Sequence, residues 1–257
     1  MTSLDSASFD EWYRAIGESA RWDLFMRKWL ALPADLQSSG YLTGPGLVEV
    51  SARLDLAPGG TFVELGCGRG GYGMAVSRVS GAALVGVDFS PAALTEARRQ
   101  ASRLGLDDRV RFELGDLTST NLARGLADAV LCVDAFHFAQ STAAAAAECR
   151  RLLKPGGNLV LTSWKPVTAG APVLPERLRH LDVGADLLAA GFVDLQEEIR
   201  PDWSAVELAL WEAAVELRPD GDPAIAALVE EARELLLLDG SLLRVLITAR
   251  TPVAVEG

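Results

Sequence analysis

The feature that most constrains this chain is a short apolar run that ends abruptly in glycine. Thr61-Phe62-Val63-Glu64-Leu65 leads straight into Gly66-Cys67-Gly68-Arg69-Gly70-Gly71. A five-residue run of mostly apolar side chains, bounded by glycine, reads as a buried strand. The glycines allow a sharp turn and a close approach of backbone to a ligand, and the following helix points its first amide N–H groups at that ligand. From here strands and helices alternate. Strands are expected over 83–87, 110–114, 127–133 and 158–164, and helices over 91–104 and 143–153. Such alternation predicts a parallel sheet wrapped by helices.

The flanks are different. Residues 1–56 show apolar residues at helical spacing, first Phe9, Trp12, Tyr13 and Ile16, then Trp22, Phe25, Met26, Trp29 and Leu30. Beyond the alternating region, a helix over 183–190 and a strand over 192–199 precede two helical patterns, 204–217 and 224–238, and a final strand over 243–248. The expected organisation is an N-terminal helical cap (1–56), an α/β core (57–202 and 241–257) and a helical insertion (203–240) within one domain. With 257 residues and 49% hydrophobic composition, a buried core is available. A net charge of −11 disfavours a nucleic-acid substrate, whose phosphates call for clustered Lys and Arg. There is no signal-peptide pattern at the N-terminus and no apolar run long enough for a membrane span, so a cytoplasmic location is expected. Cys67, Cys132 and Cys149 are odd in number and widely spaced, which predicts neither a disulfide framework nor a metal site.

A glycine turn alone does not choose a ligand, because dinucleotide-binding proteins share it. The next strand ends Val85-Gly86-Val87-Asp88-Phe89-Ser90, with Asp88 22 positions after Gly66, where a carboxylate can accept from two ribose hydroxyls. Gly115-Asp116-Leu117 follows the third strand, and Lys154-Pro155-Gly156-Gly157 forms a turn before the fifth. Taken singly, Asp88 or Asp116 is equally a helix cap or turn former. With all four elements in this order, residues 40–200 resemble the class I S-adenosylmethionine (SAM)-dependent methyltransferases. The resemblance implies a Rossmann-like, seven-stranded, mostly parallel sheet with helices on both faces, SAM as cofactor and S-adenosylhomocysteine as product. It implies that Gly66, Cys67, Gly68 and Gly70 line the cofactor, that Asp88 holds its ribose, and that Phe89, Ser90, Asp116 and Leu117 surround its adenine. Glu64 would face the amino-acid end or simply support the loop, and the Val133 carbonyl would receive the ammonium.

The fourth strand runs into Asp134-Ala135-Phe136-His137-Phe138. His137 falls where the family faces the transferred methyl, as a base for an acceptor hydroxyl or as a shaper of the pocket. The stretch resembles the cyclopropane-synthase-like, small-molecule branch, except that Phe136 stands before the histidine where that branch has Glu; Ser39-Gly40-Tyr41-Leu42 loosely resembles a segment of tocopherol methyltransferases. Tyr13, Tyr41, Phe136, Trp164, Trp203 and Trp211 are candidates to wall a substrate, with Leu208 and Leu210, or to pack the core; His180 reads as solvated. The expected function is methyl transfer to a small, fairly apolar metabolite, with oxygen favoured as acceptor and natural-product tailoring as the setting. The alternative is a SAM-binding enzyme catalysing a cyclisation or rearrangement. Asp116 and the Lys154–Gly157 turn argue against an NAD-dependent oxidoreductase. A monomer or homodimer acting on a small molecule, with no nucleic-acid partner, is expected.

Overall fold

Along a strand successive side chains point to opposite faces, and here that alternation sorts the apolar residues into two cores. In the computed structural model, which describes residues 6–253, the strands are β1 (Thr61–Leu65), β2 (Ala83–Asp88), β3 (Val110–Leu114), β4 (Ala127–Val133), β5 (Leu153–Pro166), β6 (Val193–Ile199) and β7 (Leu242–Arg250). Phe62, Leu84, Leu131, Val160 and Leu246 join one hydrophobic cluster. Their immediate neighbours Val63, Val85, Val130, Leu159 and Val245 join the other. The outer ends of the expected cap and final segment, 1–5 and 254–257, lie outside the described residues.

The seven-stranded sheet has the order β3-β2-β1-β4-β5-β7-β6. Pairing is parallel from β3 through β5, and β7 runs antiparallel to both of its neighbours. The chain thus starts in the middle, winds outward to β3, and returns to β4 on the other side of β1. That reversal opens a crevice beyond the carboxyl ends of β1 and β4, where ligands bind in sheets of this kind.

Helices cover both faces. α1 (Ser6–Glu18), α2 (Ala20–Leu30), α3 (Gly44–Arg53), α4 (Gly71–Ser80), α5 (Pro91–Leu104), α9 (Pro201–Ala214) and α10 (Pro223–Leu236) pack on the first core; α6 (Thr142–Leu152), α7 (Glu176–Arg179) and α8 (Val183–Ala189) pack on the second. Their starts are legible in sequence. Ser19, Thr43, Ser90, Ser141, Asp182 and Asp222 each accept a backbone N–H as N-caps, with proline in the first turn of α3, α5 and α10. Helices α9 and α10 lie between β6 and β7, and their Trp203, Trp211 and Leu228 share a core with Ile16, Trp22 and Met26 of the N-terminal helices. Among the described residues no helix is long and apolar enough to cross a membrane.

One local expectation changes. Lys154–Gly157 is not a turn ahead of the fifth strand but part of β5, which begins at Leu153. The register against β4 jumps from Ala127↔Leu153 to Ala129↔Asn158, so these residues form a bulge, with Gly156 at φ +75°.

Next to the glycine turn, Arg69 is fully buried. Its Nη2 donates to Asp23 Oδ1 at 2.8 Å and to the Ser38 carbonyl at 2.5 Å, tying the turn to α2 and to the irregular segment after it. Removing one member of a buried ion pair strands the other in a low dielectric. Asp23→Ala is therefore expected to lower the unfolding free energy by about 3–5 kcal/mol in urea titrations. Asp23→Leu combined with Arg69→Met should recover most of that loss; a loss under about 1 kcal/mol in the single variant would contradict the role given to the pair.

Candidate functional site

Gly66, Gly68 and Gly70 all adopt positive φ, at 65°, 51° and 74°. At Gly68 the requirement is twofold. An L side chain is strained there, and its Cβ would meet Ser39 Oγ at 2.2 Å and the Tyr13 hydroxyl at 2.9 Å. The turn is fixed from the neighbouring strand, because the Gly68 N–H donates to Asp88 Oδ2 at 2.8 Å. The other oxygen, Oδ1, accepts from the Ser90 N–H at 2.9 Å. Burial outweighs these donors and pushes the Asp88 carboxyl up to about 6. Glu64, facing α4 from the middle of the sheet, accepts from the Gly73 N–H at 3.1 Å. Its burial, opposed by that donor and reinforced by the charge of Asp88, raises its carboxyl to about 8.

A cavity of about 580 Å³ lies over the carboxyl ends of the central strands. At one end it is bordered by Tyr13, Gly66, Cys67, Asp88, Phe89 and Leu117, with Glu64 and Val133 at its floor. At the other end stand Tyr41, His137, Trp164, Leu208 and Trp211. The structure thus brings together, in one cavity, candidates from eight separate stretches of sequence. Phe9 of α1 spans the two ends, edge-on to Phe89 at 5.1 Å and to Phe138 at 5.3 Å.

Other candidates lie apart from this cavity. Gly68 and Gly70 act through the backbone behind its wall, Gly70 as the N-cap of α4 against the Phe112 ring. Ser90 is buried as the N-cap of α5 and donates its hydroxyl to Asp10 of α1. Asp116 is exposed, and its Oδ1 accepts from the Thr118 N–H and hydroxyl, forming a turn rather than a wall. Phe136 is a correction: it is fully buried in the core on the far face of the sheet. The tight 3₁₀ turn Phe136–Phe138 sends its first ring to that core and the next residue, His137, to the cavity. Trp203 is likewise a core residue, covered by the Arg200 guanidinium at 4.1 Å, as is Leu210. His180 is exposed.

His137 is itself buried, with the Phe138 ring 4.0 Å away and Trp164 edge-on at 5.0 Å. Burial, aided by Arg177 and Arg244, lowers its pKa to about 3, so the imidazole is neutral. Its Nδ1 is buried and makes no hydrogen bond among the described residues.

The sequence reading passed over the polar floor of this end. Asp134, buried at φ +54°, accepts from the Thr162 hydroxyl at 2.6 Å, from Arg244 Nη2 at 2.7 Å and, through Oδ2, from the Tyr41 N–H at 2.9 Å. Arg244 lies over the Trp164 ring at 4.3 Å, while Trp164 Nε1 donates to Glu207 at 3.0 Å and the Tyr41 hydroxyl to Glu231 at 2.8 Å. The one available signal was Asp134, an acidic residue directly after a strand that ends at the switch point. Arg244 carried none, since it is one of two arginines in its strand and its partner lies 110 positions away.

Comparison with known proteins agrees with this geometry. A family model described as a methyltransferase domain matches residues 62–157. The ubiquinone biosynthesis O-methyltransferase of Xanthomonas oryzae is 32% identical over 172 residues, covering 66% of this chain and 66% of that protein. The demethylmenaquinone methyltransferase of Thermus thermophilus is 35% identical over 152 residues, covering 59% and 64%. The matches therefore span about two thirds of the length of these relatives. A crystal structure of the 4+2 cyclase SpnF superimposes with a TM-score of 0.78 over 98% of both chains, at 22% identity, a likeness of fold.

Glu64 offers a test that needs no ligand. Its carboxyl is raised from 4.5 to about 8, so over that range the folded protein keeps a proton that the unfolded chain releases. Its contribution to stability is complete below 4.5 and is lost as pH rises towards 8. Urea unfolding across this range should show wild type losing stability relative to Glu64→Gln as pH rises. A difference that is constant with pH would contradict the buried, proton-holding carboxyl.

Proposed function

The chain belongs to the class I SAM-dependent methyltransferase superfamily, and from that premise we propose that it transfers a methyl group from SAM to a hydroxyl of a small, fairly apolar molecule. The observation that carries this reading is one continuous cavity reaching from the Asp88 carboxylate to the His137 ring.

The residues at the first end suit the cofactor. Asp88 remains raised to about 6 despite backbone donors at Ser90, Gly68 and Phe89, an uncompensated desolvation that two ribose hydroxyls would relieve. Glu64 and the Val133 carbonyl offer acceptors to a cationic amino group, and Phe89 and Leu117 offer apolar walls to a flat ring. Asp116 uses Oδ1 in the Thr118 turn, and its Oδ2 is the acceptor offered to an adenine amino group beside Gly115 and Leu117. When bound, SAM supplies an electrophilic methyl: a C–O bond forms to the acceptor, the C–S bond breaks with its electron pair left on sulfur, and S-adenosylhomocysteine results.

The chain's own contribution is mainly positioning and exclusion of water, which hold nucleophile and methyl in line. His137 stays neutral over the ordinary pH range and so accepts a hydrogen bond from the hydroxyl. A base this weak serves late, taking the proton once the forming C–O bond has made the oxygen strongly acidic. The ubiquinone biosynthesis O-methyltransferase supports oxygen as the acceptor, and the demethylmenaquinone methyltransferase supports methyl transfer to a small molecule more broadly.

S-Adenosylhomocysteine release, measured over a panel of phenols and alcohols, tests this. His137→Ala should lower kcat by about 10²–10⁴-fold and leave SAM binding unchanged. At saturating substrates kcat should show no acid limb near the usual histidine pKa of about 6.5. Turnover of an acceptor without S-adenosylhomocysteine would contradict methyl transfer and point to cyclisation. A His137→Ala variant as fast as wild type would remove the base.

A further inference from the structure

The second end of the cavity has a distinct chemical character. Tyr41 meets Trp211 at 4.7 Å and 69°, and Trp164 at 6.3 Å and 67°. These edge-to-face contacts set the three rings side by side along the cavity wall, and a ring face left open by its neighbours carries the negative lobe of the ring quadrupole. Two carboxylates are built onto these rings by single oxygens, Glu231 through the Tyr41 hydroxyl and Glu207 through Trp164 Nε1. The second oxygen of Glu207 is buried without a hydrogen-bond partner among the described residues, 3.4 Å from Arg244 Nε.

The resident cations offset only part of the negative charge at this end. Arg244 is shared between Asp134 at 2.7 Å and Glu207 at 3.4 Å, and lies over Trp164. Arg177 lies over Phe138 and faces the charges of Glu231 and Glu234. Among the described residues no cation lies over Tyr41 or Trp211. Glu230, Glu234 and Asp239 add further negative charge along the same wall, Glu230 being shared with Arg233. Burial, together with repulsion from Glu207 and Glu234, pushes the Glu231 carboxyl up to about 7, and an entering cation would relieve that repulsion.

We propose that Tyr41, Trp164 and Trp211, with Glu207 and Glu231, form a recognition site for a protonated amine, so that the methyl acceptor carries an ammonium group besides its reacting hydroxyl. This rests on the reading that the cavity takes the acceptor beside SAM. An ammonium gains from both parts of the site: ring faces favour a cation in a dry pocket, and the carboxylates supply charge-assisted hydrogen bonds. The amine is a handle here and not the nucleophile, since a protonated nitrogen has no lone pair to attack the methyl.

Three probes of one shape test this: tyramine, 4-ethylphenol and 3-(4-hydroxyphenyl)propanoate, titrated calorimetrically into protein saturated with S-adenosylhomocysteine. Tyramine should bind at least about tenfold more tightly than 4-ethylphenol, and the carboxylate most weakly. Glu231→Gln and Glu207→Gln should each reduce the tyramine preference, and together abolish it, while S-adenosylhomocysteine affinity stays at the wild-type value and shows that the variants are folded. Equal binding of tyramine and 4-ethylphenol, no detectable binding of tyramine, a preference for the carboxylate, or a preference that survives the double variant would overturn the ammonium site. Failure of the methyl-transfer reading is seen separately, as acceptor turnover without S-adenosylhomocysteine release.

Discussion

The hydrogen bond from the Gly68 amide to the Asp88 carboxylate, 2.8 Å long, holds the end of β2 to the turn that follows β1. Much of the cofactor end follows from it. The turn runs through three left-handed glycines to bring that amide round, and sets Gly66 and Cys67 at the cavity wall. Arg69, the next residue, is thereby aimed into the N-terminal helices, where Asp23 and the Ser38 carbonyl receive it. The segment so fixed carries Ser39, Gly40 and Tyr41 to the cavity wall. A buried carboxylate and a buried guanidinium are each costly alone; here the Gly68 amide and Asp23 supply what each lacks.

The acceptor end is organised around a second carboxylate, Asp134. Its left-handed backbone costs on the order of 1 kcal/mol or more for a residue other than glycine, and such conformations persist where surroundings over-determine them. Here four elements converge on one side chain: the segment after α2 through the Tyr41 N–H, β5 through the Thr162 hydroxyl, β7 through Arg244, and α9 indirectly through Glu207. Tyr41 is held at both ends, its amide by Asp134 and its hydroxyl by Glu231 of α10. The N-terminal helices and the late helical pair are thus joined across the cavity by polar contacts as well as by a shared core.

The sequence made the cofactor end legible because its chemistry is local. Gly66 to Gly70 and Asp88 lie within one strand–helix–strand unit, and their spacing is dictated by that unit's dimensions. Helix starts and strand periodicity were readable for the same reason. Phe136 misled because a one-residue change of direction in a 3₁₀ turn decides between core and cavity, and composition does not record it. Trp203 misled because an aromatic residue on a helix has the same pattern whether it meets substrate or, as here, Arg200. The network of Asp134, Arg244 and Glu207 was invisible because its members belong to the turn after β4, to β7 and to α9, and meet only when the sheet closes. In each case the missing information was long-range pairing, not residue chemistry.

The central claim is that the carboxylate anchoring the glycine turn also holds the cofactor's ribose, and equilibrium binding of SAM to wild type and Asp88→Ala tests it most directly. Wild type is expected to bind SAM in preference to NAD. Asp88→Ala, confirmed folded by its cooperative thermal unfolding, should lose about 10²-fold in SAM affinity, as deletion of two charge-assisted hydrogen bonds would. A folded Asp88→Ala protein that binds SAM as tightly as wild type, or a wild type that binds NAD and not SAM, would contradict it.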